Sequence, residues 1–130
     1  VLAVQMPSNF SAPSHRILLA LAAEPRWREL LGDVRMGSVL SAVEYQRLLI
    51  PHCRHLELWE TTYWQVLSGD DAVIEWMRGT TLVPYLARLA PATADDFLAA
   101  YRERLRAAYP PVADGQTLFP FKRIFFVAQR

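Results

Sequence analysis

Four side chains that can bind a carboxylate lie beside predicted strand ends in this sequence. Asn9 and His15 occupy the polar loop 8–15 after an apolar run at 1–7, Arg16 follows them, and Arg123 precedes an apolar run at 124–128. Ligands of open α/β sheets bind beyond the carboxyl ends of strands, and arginine grips a carboxylate through two parallel hydrogen bonds. These residues are therefore the candidates for a local ligand site at the strand ends. The alternatives are a turn role for Asn9, a helix-start role for His15 and a solvated side chain for Arg16. For Arg123, the alternative is a charge that keeps a strand edge from pairing with another chain.

Further candidate donors lie on a predicted strand and at a predicted helix end. Thr62 and Tyr63 bring hydroxyl groups to the stretch 55–67, which is rich in aromatic and β-branched residues. Trp76 and Thr80 flank the end of a short apolar helix, where an aromatic wall and a free backbone amide would bound an anion. The alternatives are ordinary strand propensity for Thr62 and core packing for Trp76.

The histidines and the cysteine do not indicate a metal site. His52, Cys53 and His55 fall within four residues, a spacing that differs from that of structural zinc sites. We therefore expect surface and packing roles, and no bound metal. A single cysteine excludes an intrachain disulfide and fits a reducing, cytoplasmic location.

Composition limits the classes of partner. The 130 residues carry 14 basic and 13 acidic side chains, a formal net charge of +1. This balance argues against a broad nucleic-acid or anionic-membrane surface, so we expect neither nucleic acid nor membrane as a partner. No apolar run approaches the ~20 residues that span a bilayer.

Periodicity predicts the element order strand, helices, strand, helices, strand. Strands are expected at 1–7, 55–67 and 124–128, and the first has the composition of a buried strand. Pro25 is expected to divide two helices, Ser41 and Glu44 form a capping-box pattern, and Thr93 is the predicted cap of the longest helix. The long helical connections leave both parallel and antiparallel pairing open.

Several segments in a fixed order resemble the carboxyl-terminal half of the trans-aconitate methyltransferase family. They are residues 1–7 with Asn9, Pro13 and His15; residues 59–63; Glu75 and Trp76 with Thr81, Leu82, Pro84 and Leu86; Tyr109 with Pro110; and residues 121–128. Their joint order is more specific than any one of them.

The resemblance implies a fold and a reaction. The fold is an α+β fragment of a Rossmann-like α/β methyltransferase, a three-strand subsheet with the last strand antiparallel in the middle and a helical substrate cap. Residues 1–130 would form one domain, and the amino-terminal half that holds S-adenosylmethionine would lie outside them. A methyl group would pass to a carboxylate of trans-aconitate, giving a monomethyl ester. No sequence with the G-x-G signature follows a strand here, so we expect no cofactor on this chain alone and no activity from it.

The resemblance also implies partners and a binding site. The expected partners are a small tricarboxylate and the amino-terminal half, with a homodimer or domain swap through the exposed edge of the first strand. The expected substrate-binding residues are Asn9, His15, Arg16, Thr62, Tyr63, Trp76, Thr80 and Arg123. Positioning can supply much of the rate of methyl transfer, so no catalytic residue is assigned. Two alternatives to this function are a non-enzymatic module that binds small acids or dimerises, and a methyltransferase with another acceptor.

Overall fold

The computed structural model describes residues 1–130, apart from the side chain of Ala113, and they form two compact units. Unit 1 contains residues 1–10, 37–64 and 120–130, and unit 2 contains residues 11–36 and 65–119. The assignment of the whole chain to one domain stays a prediction.

Three strands form one sheet with the last strand in the middle. They are β1 (Leu2–Pro7), β2 (His55–Ser68) and β3 (Gln116–Gln129), in the order β1-β3-β2. β1 runs antiparallel to β3, from Leu2 opposite Ala128 to Pro7 opposite Arg123. Beside the start of β2, the Arg54 amide donates to the carbonyl of Gln129 at the end of β3. The predicted antiparallel insertion of the last strand is confirmed.

β3 is longer than its apolar run predicts, because it begins at Gln116 and contains Pro120. A proline normally interrupts a central strand, since it donates no backbone hydrogen bond. The N–H and C=O of Lys122 point to the β1 side, where they contact Asn9 and Ser8, and the nitrogen of Pro120, two residues earlier, points to the same side. β1 ends at Pro7, opposite Arg123, so no strand lies on that side of Pro120. The missing N–H therefore removes no ladder hydrogen bond, and the strand continues through the proline.

β1 is not the buried strand that its composition predicts. Leu2 is 48% exposed, and none of the six residues of β1 is fully buried. β1 lies at the edge of the sheet. Tyr45 of α3 contacts it at Met6, where the tyrosine hydroxyl donates a hydrogen bond to the Met6 sulfur. An edge strand with one paired side and little helical cover keeps apolar side chains in solvent.

Six helices connect the strands: α1 (Pro13–Ala23), α2 (Pro25–Leu31), α3 (Ala42–Leu49), α4 (Ala72–Arg78), α5 (Val83–Leu86) and α6 (Pro91–Ala108). The predicted division at Pro25 is confirmed, and so is the capping box of Ser41 and Glu44. The predicted cap at Thr93 is wrong, because α6 begins at Pro91 with Ala90 in the cap position. Proline suits the first turn, since its fixed φ is helical and its missing N–H would have no partner there.

Each unit has its own packed interior. In unit 2, Leu18 and Leu21 of α1 are fully buried together with Phe97 of α6, whose ring meets Trp27 edge to face at 5.0 Å. Their spacing forms the apolar stripe of an amphipathic helix. In unit 1, the buried face of β3 contains Ile124, Phe126 and Ala128, and Tyr45 of α3 lies 5.2 Å from the Phe126 ring.

Candidate functional site

Asn9 is buried at the end of β1 and is held there by the backbone of β3. Its side-chain oxygen accepts a hydrogen bond from the Lys122 amide, and the amide of Ser8 donates to the Lys122 carbonyl over 2.9 Å. Because the Lys122 N–H needs an acceptor, the oxygen of the Asn9 amide is the atom that faces it. The Asn9 side-chain nitrogen remains a fixed donor for a ligand oxygen.

Arg123 carries a positive charge without a carboxylate partner among the described residues. Its Nε donates to the side-chain oxygen of Gln5, and its guanidinium lies 5.6 Å from the centroid of the Phe121 ring. Lys122, the adjacent cation, forms an ion pair with Glu60 at 2.8 Å. The neutral contacts orient Arg123 without cancelling its charge, so it is available to a ligand carboxylate.

Tyr63 and Thr62 are exposed on β2 and point to opposite faces of the sheet, because side chains alternate along a strand. Trp59 stacks on Phe125 of β3 at 5.2 Å, which fixes the faces. Tyr63 shares a face with Trp59, and Arg123 shares that face with Phe125. Tyr63 and Arg123 are therefore candidates for one ligand, whereas Thr62 faces the other side.

His15 is buried in the first turn of α1. Its Nδ1 lies 3.3 Å from the hydroxyl of Ser14, and burial lowers the pKa of the imidazole from its usual 6.5. The ring is therefore neutral near pH 7 and presents one N–H donor rather than a charge. Arg16, the next residue, is exposed and has no ion-pair partner in the described structure. The two side chains provide a neutral donor and a cation at the start of one helix.

Two tyrosines that the sequence interpretation did not single out for the site hold this helix start. The Tyr101 hydroxyl donates to the Ser14 carbonyl over 3.0 Å, and the Ser14 amide donates to the Tyr109 hydroxyl over 3.1 Å. Burial raises the pKa of Tyr101 far above its usual value, so the hydroxyl stays protonated and donates. The amides of a first helical turn lack helical partners, and Tyr109 satisfies one of them. We call this group the tyrosine clamp.

Trp76 and Thr80 differ from the predicted anion site. Trp76 is 41% exposed rather than in the core, with its ring 6.2 Å from that of Phe119. The amides of Gly79 and Thr80 both donate to the Met77 carbonyl, so the predicted free amide is wrong. α4 ends here, and the negative end of a helix dipole does not favour an anion. The Thr80 hydroxyl and the exposed indole remain the candidate contacts.

A small cleft in unit 2 contains a carboxylate that two arginines share. Arg102 Nε lies 2.8 Å from one oxygen of Asp71, and Arg106 Nη2 lies 2.9 Å from the other. Thr117 and Tyr109 also line this cleft. Asp70 also lines the cleft, so two carboxylates balance the two guanidinium groups and leave no net positive charge for an added anion.

The candidate residues fall into two groups. Unit 1 holds Asn9, Thr62, Tyr63 and Arg123, and unit 2 holds His15, Arg16, Trp76 and Thr80. Asn9 and Arg123 lie near each other at the middle of β3, since Asn9 contacts the Lys122 amide and Arg123 is the next residue of the strand. The assignment of both groups to one acceptor site stays a prediction.

Within the described residues, no three His, Cys, Asp or Glu side chains come together as metal ligands. In the same part of the chain, no helix combines the length and apolar character needed to cross a bilayer.

Known relatives match the chain along its whole length. Trans-aconitate 2-methyltransferase of Azoarcus sp. (strain BH72) is 48% identical over 130 residues, which are 100% of this chain and 51% of that protein. Proteins of the same name are 42% identical over 132 residues in Paracidovorax citrulli and 48% identical over 133 residues in Streptomyces coelicolor. The chain covers 51% and 44% of their lengths, so it spans about half the length of these curated relatives. No family model matches. The predicted resemblance is confirmed.

Proposed function

We propose that this chain, a homologue of the trans-aconitate methyltransferases, is the substrate-binding carboxyl-terminal half of such an enzyme. The observation that carries the proposal is the match over all 130 residues to a protein with that name. The complete enzyme would transfer a methyl group from S-adenosylmethionine to one carboxylate of trans-aconitate and release a monomethyl ester. We place this enzyme in the cytoplasm.

The sheet supports a Rossmann-like methyltransferase fold for the complete protein. The order β1-β3-β2, with β3 antiparallel in the middle, is the arrangement expected for the last three strands of such a sheet. The remaining strands and the cofactor-binding turn would come from the half that this chain does not match.

The residues of this chain do not fit S-adenosylmethionine. A nucleotide cofactor needs a glycine-rich turn directly after a strand, because only glycine lets the backbone approach closely. The five glycines are at 32, 37, 69, 79 and 115, and no two of them form a G-x-G pair. We therefore assign the cofactor site to the other half, and we expect this chain alone to be inactive.

The chemistry proposed for this chain is recognition of the acceptor. Trans-aconitate has three carboxylates, and burying an unpaired carboxylate is costly. Arg123 would neutralise one of those that are not methylated, and the Asn9 amide nitrogen and the Tyr63 hydroxyl would add uncharged donors. In unit 2, His15 would supply a neutral donor and Arg16 a second charge. Such donors would orient the acceptor without taking a proton from it.

Calorimetry on the purified chain tests this proposal. We expect heat of binding on titration with trans-aconitate and none on titration with S-adenosylmethionine. Arg123→Gln is expected to weaken trans-aconitate binding about tenfold, the effect of losing one charge-assisted contact. Arg47→Gln, which changes an exposed arginine in the last turn of α3, is the matched control and should bind as the unchanged chain does.

Two results would contradict the proposal. S-adenosylmethionine binding by this chain alone would overturn the assignment of the cofactor site to the other half. A folded chain that binds no trans-aconitate, or that binds it equally well with Arg123→Gln, would remove the acceptor site from these residues.

A further inference from the structure

The outer edge of β2 is exposed and unpaired. β2 is the last strand in the order β1-β3-β2, so one side of its backbone has no neighbouring strand in the described chain. Trp59 is 43% exposed, Tyr63 is 44% exposed and Trp64 is 64% exposed on this strand. A long edge strand with large exposed apolar side chains is a ready template for pairing with another strand.

The side chains of this edge divide between the two faces. Trp59 and Tyr63 share one face, where Trp59 is held by its stacking on Phe125. The alternation places Leu58, Glu60, Thr62 and Trp64 on the other face. Each face therefore presents apolar groups on both sides of Thr61, which is the condition for a self-complementary strand.

In one antiparallel register between two copies of β2, every cross-strand residue pair near the two-fold axis is favourable. A two-fold axis perpendicular to the sheet keeps each face on its own side, and it places one residue opposite itself. With Thr61 on the axis, Trp59 meets Tyr63 of the second copy, Leu58 meets Trp64, and Glu60 meets Thr62. Aromatic and aliphatic cross-strand pairs stabilise antiparallel pairing, and no like charges face each other.

The neighbouring registers are less favourable. An axis at Glu60 places two carboxylates opposite each other, which is destabilising. An axis at Thr62 places Glu60 against Trp64 of the second copy and separates Trp59 from Tyr63. The charge pattern therefore favours the axis at Thr61.

We propose that the outer edge of β2 is a homodimer interface, in which β2 of two copies pair antiparallel about Thr61. The proposal does not depend on the proposed function. It also differs from self-association through β1, the edge expected from the sequence, where Leu2 is the large exposed side chain within the strand. Association through β1 is an outcome that the following experiments separate.

Opposite charges at Thr62 test the register by analytical ultracentrifugation. Thr62→Lys places a cation opposite Glu60 of the second copy, and Thr62→Glu places an anion there, twice in each dimer by symmetry. We expect the dimer dissociation constant to fall about fivefold with Thr62→Lys and to rise about fivefold with Thr62→Glu. Ser38→Lys and Ser38→Glu make the same charge changes at an exposed loop residue and should change it little.

Disulfide trapping tests the axis independently. In a Cys53→Ser background, Thr61→Cys would place two thiols opposite each other across the axis, within reach of a disulfide. Thr62→Cys would place each thiol opposite Glu60. We expect mild oxidation to crosslink the Thr61→Cys variant into a dimer and to leave the Thr62→Cys variant largely monomeric on a denaturing gel.

Three results would overturn the proposal. In the first, the chain stays monomeric at high concentration. In the second, the dimer dissociation constant is unchanged by Thr62→Lys and Thr62→Glu, and in the third the two cysteine variants crosslink equally. A dissociation constant that is unchanged by the Thr62 substitutions but rises with Leu2→Lys would instead locate association at β1.

Discussion

Removing the Tyr101 hydroxyl should destabilise the chain, whereas removing the Tyr85 hydroxyl should not. Both side chains are almost completely buried in unit 2. The Tyr101 hydroxyl donates to the Ser14 carbonyl over 3.0 Å, but the Tyr85 hydroxyl has no hydrogen-bond partner. The same substitution, tyrosine to phenylalanine, therefore removes a formed bond in one case and a buried unpaired group in the other.

The hydrogen bonding of each hydroxyl determines how much each substitution should change the free energy of unfolding. Tyr101→Phe loses one buried hydrogen bond and should lower the free energy of unfolding by about 1–2 kcal/mol. At this chain length, that corresponds to a fall in Tm of about 4–7 °C. Tyr85→Phe removes a desolvated polar group that gains nothing in return, so the free energy of unfolding should stay constant or rise by up to about 1 kcal/mol.

Guanidinium chloride unfolding followed by circular dichroism measures both variants against the unchanged chain. The expected result is a lower midpoint for Tyr101→Phe, an equal or higher midpoint for Tyr85→Phe, and the same slope for all three. Equal losses in the two variants would mean that the tyrosine clamp contributes no more than ring packing. That result would refute the account of how the start of α1 is held.

Substitutions at three further residues test individual side chains. The lowered pKa of His15 means that the folded chain binds fewer protons than the unfolded chain, so its stability should fall as the pH drops below about 6.5 toward the lowered pKa. His15→Gln should flatten that pH dependence in unfolding curves at pH 5 and pH 8. Asp71→Asn leaves two guanidinium groups without their carboxylate and should cost about 1 kcal/mol in urea unfolding, reduced by their partial exposure. Asn9→Asp keeps the oxygen that accepts from Lys122, but it replaces the N–H donor with a buried carboxylate that also repels trans-aconitate, so calorimetry should show weaker trans-aconitate binding and unfolding curves should show lower stability. Asn9→Ala should lose both.

Local patterns predicted the features that depend on neighbouring residues. The capping box of Ser41 and Glu44 needs only a three-residue spacing, and it is present. Pro25 divides two helices because its missing N–H and fixed φ act within one turn. The position of β3 between the other strands followed from the family resemblance, since periodicity left the pairing open.

Apart from the cap at Thr93 and the free amide at the end of α4, which are local errors, the features that the sequence did not reveal depend on residues far away in the chain. The apolar composition of β1 alone predicted a buried strand, whereas the exposed edge expected from the family resemblance agrees with the exposure of its side chains. Pro120 continues β3 because β1 ends before reaching it. The hydrogen bond from Tyr101 to Ser14 joins residues that are 87 positions apart, a separation that no local pattern covers.

A chimeric enzyme tests the central claim most directly. The part of the Azoarcus protein that this chain does not match would be joined ahead of Val1, and methyl transfer from S-adenosylmethionine to trans-aconitate would be followed by mass spectrometry. The account predicts a monomethyl ester of trans-aconitate from the chimera and no ester from this chain alone. A folded chimera that binds S-adenosylmethionine but forms no ester would contradict it.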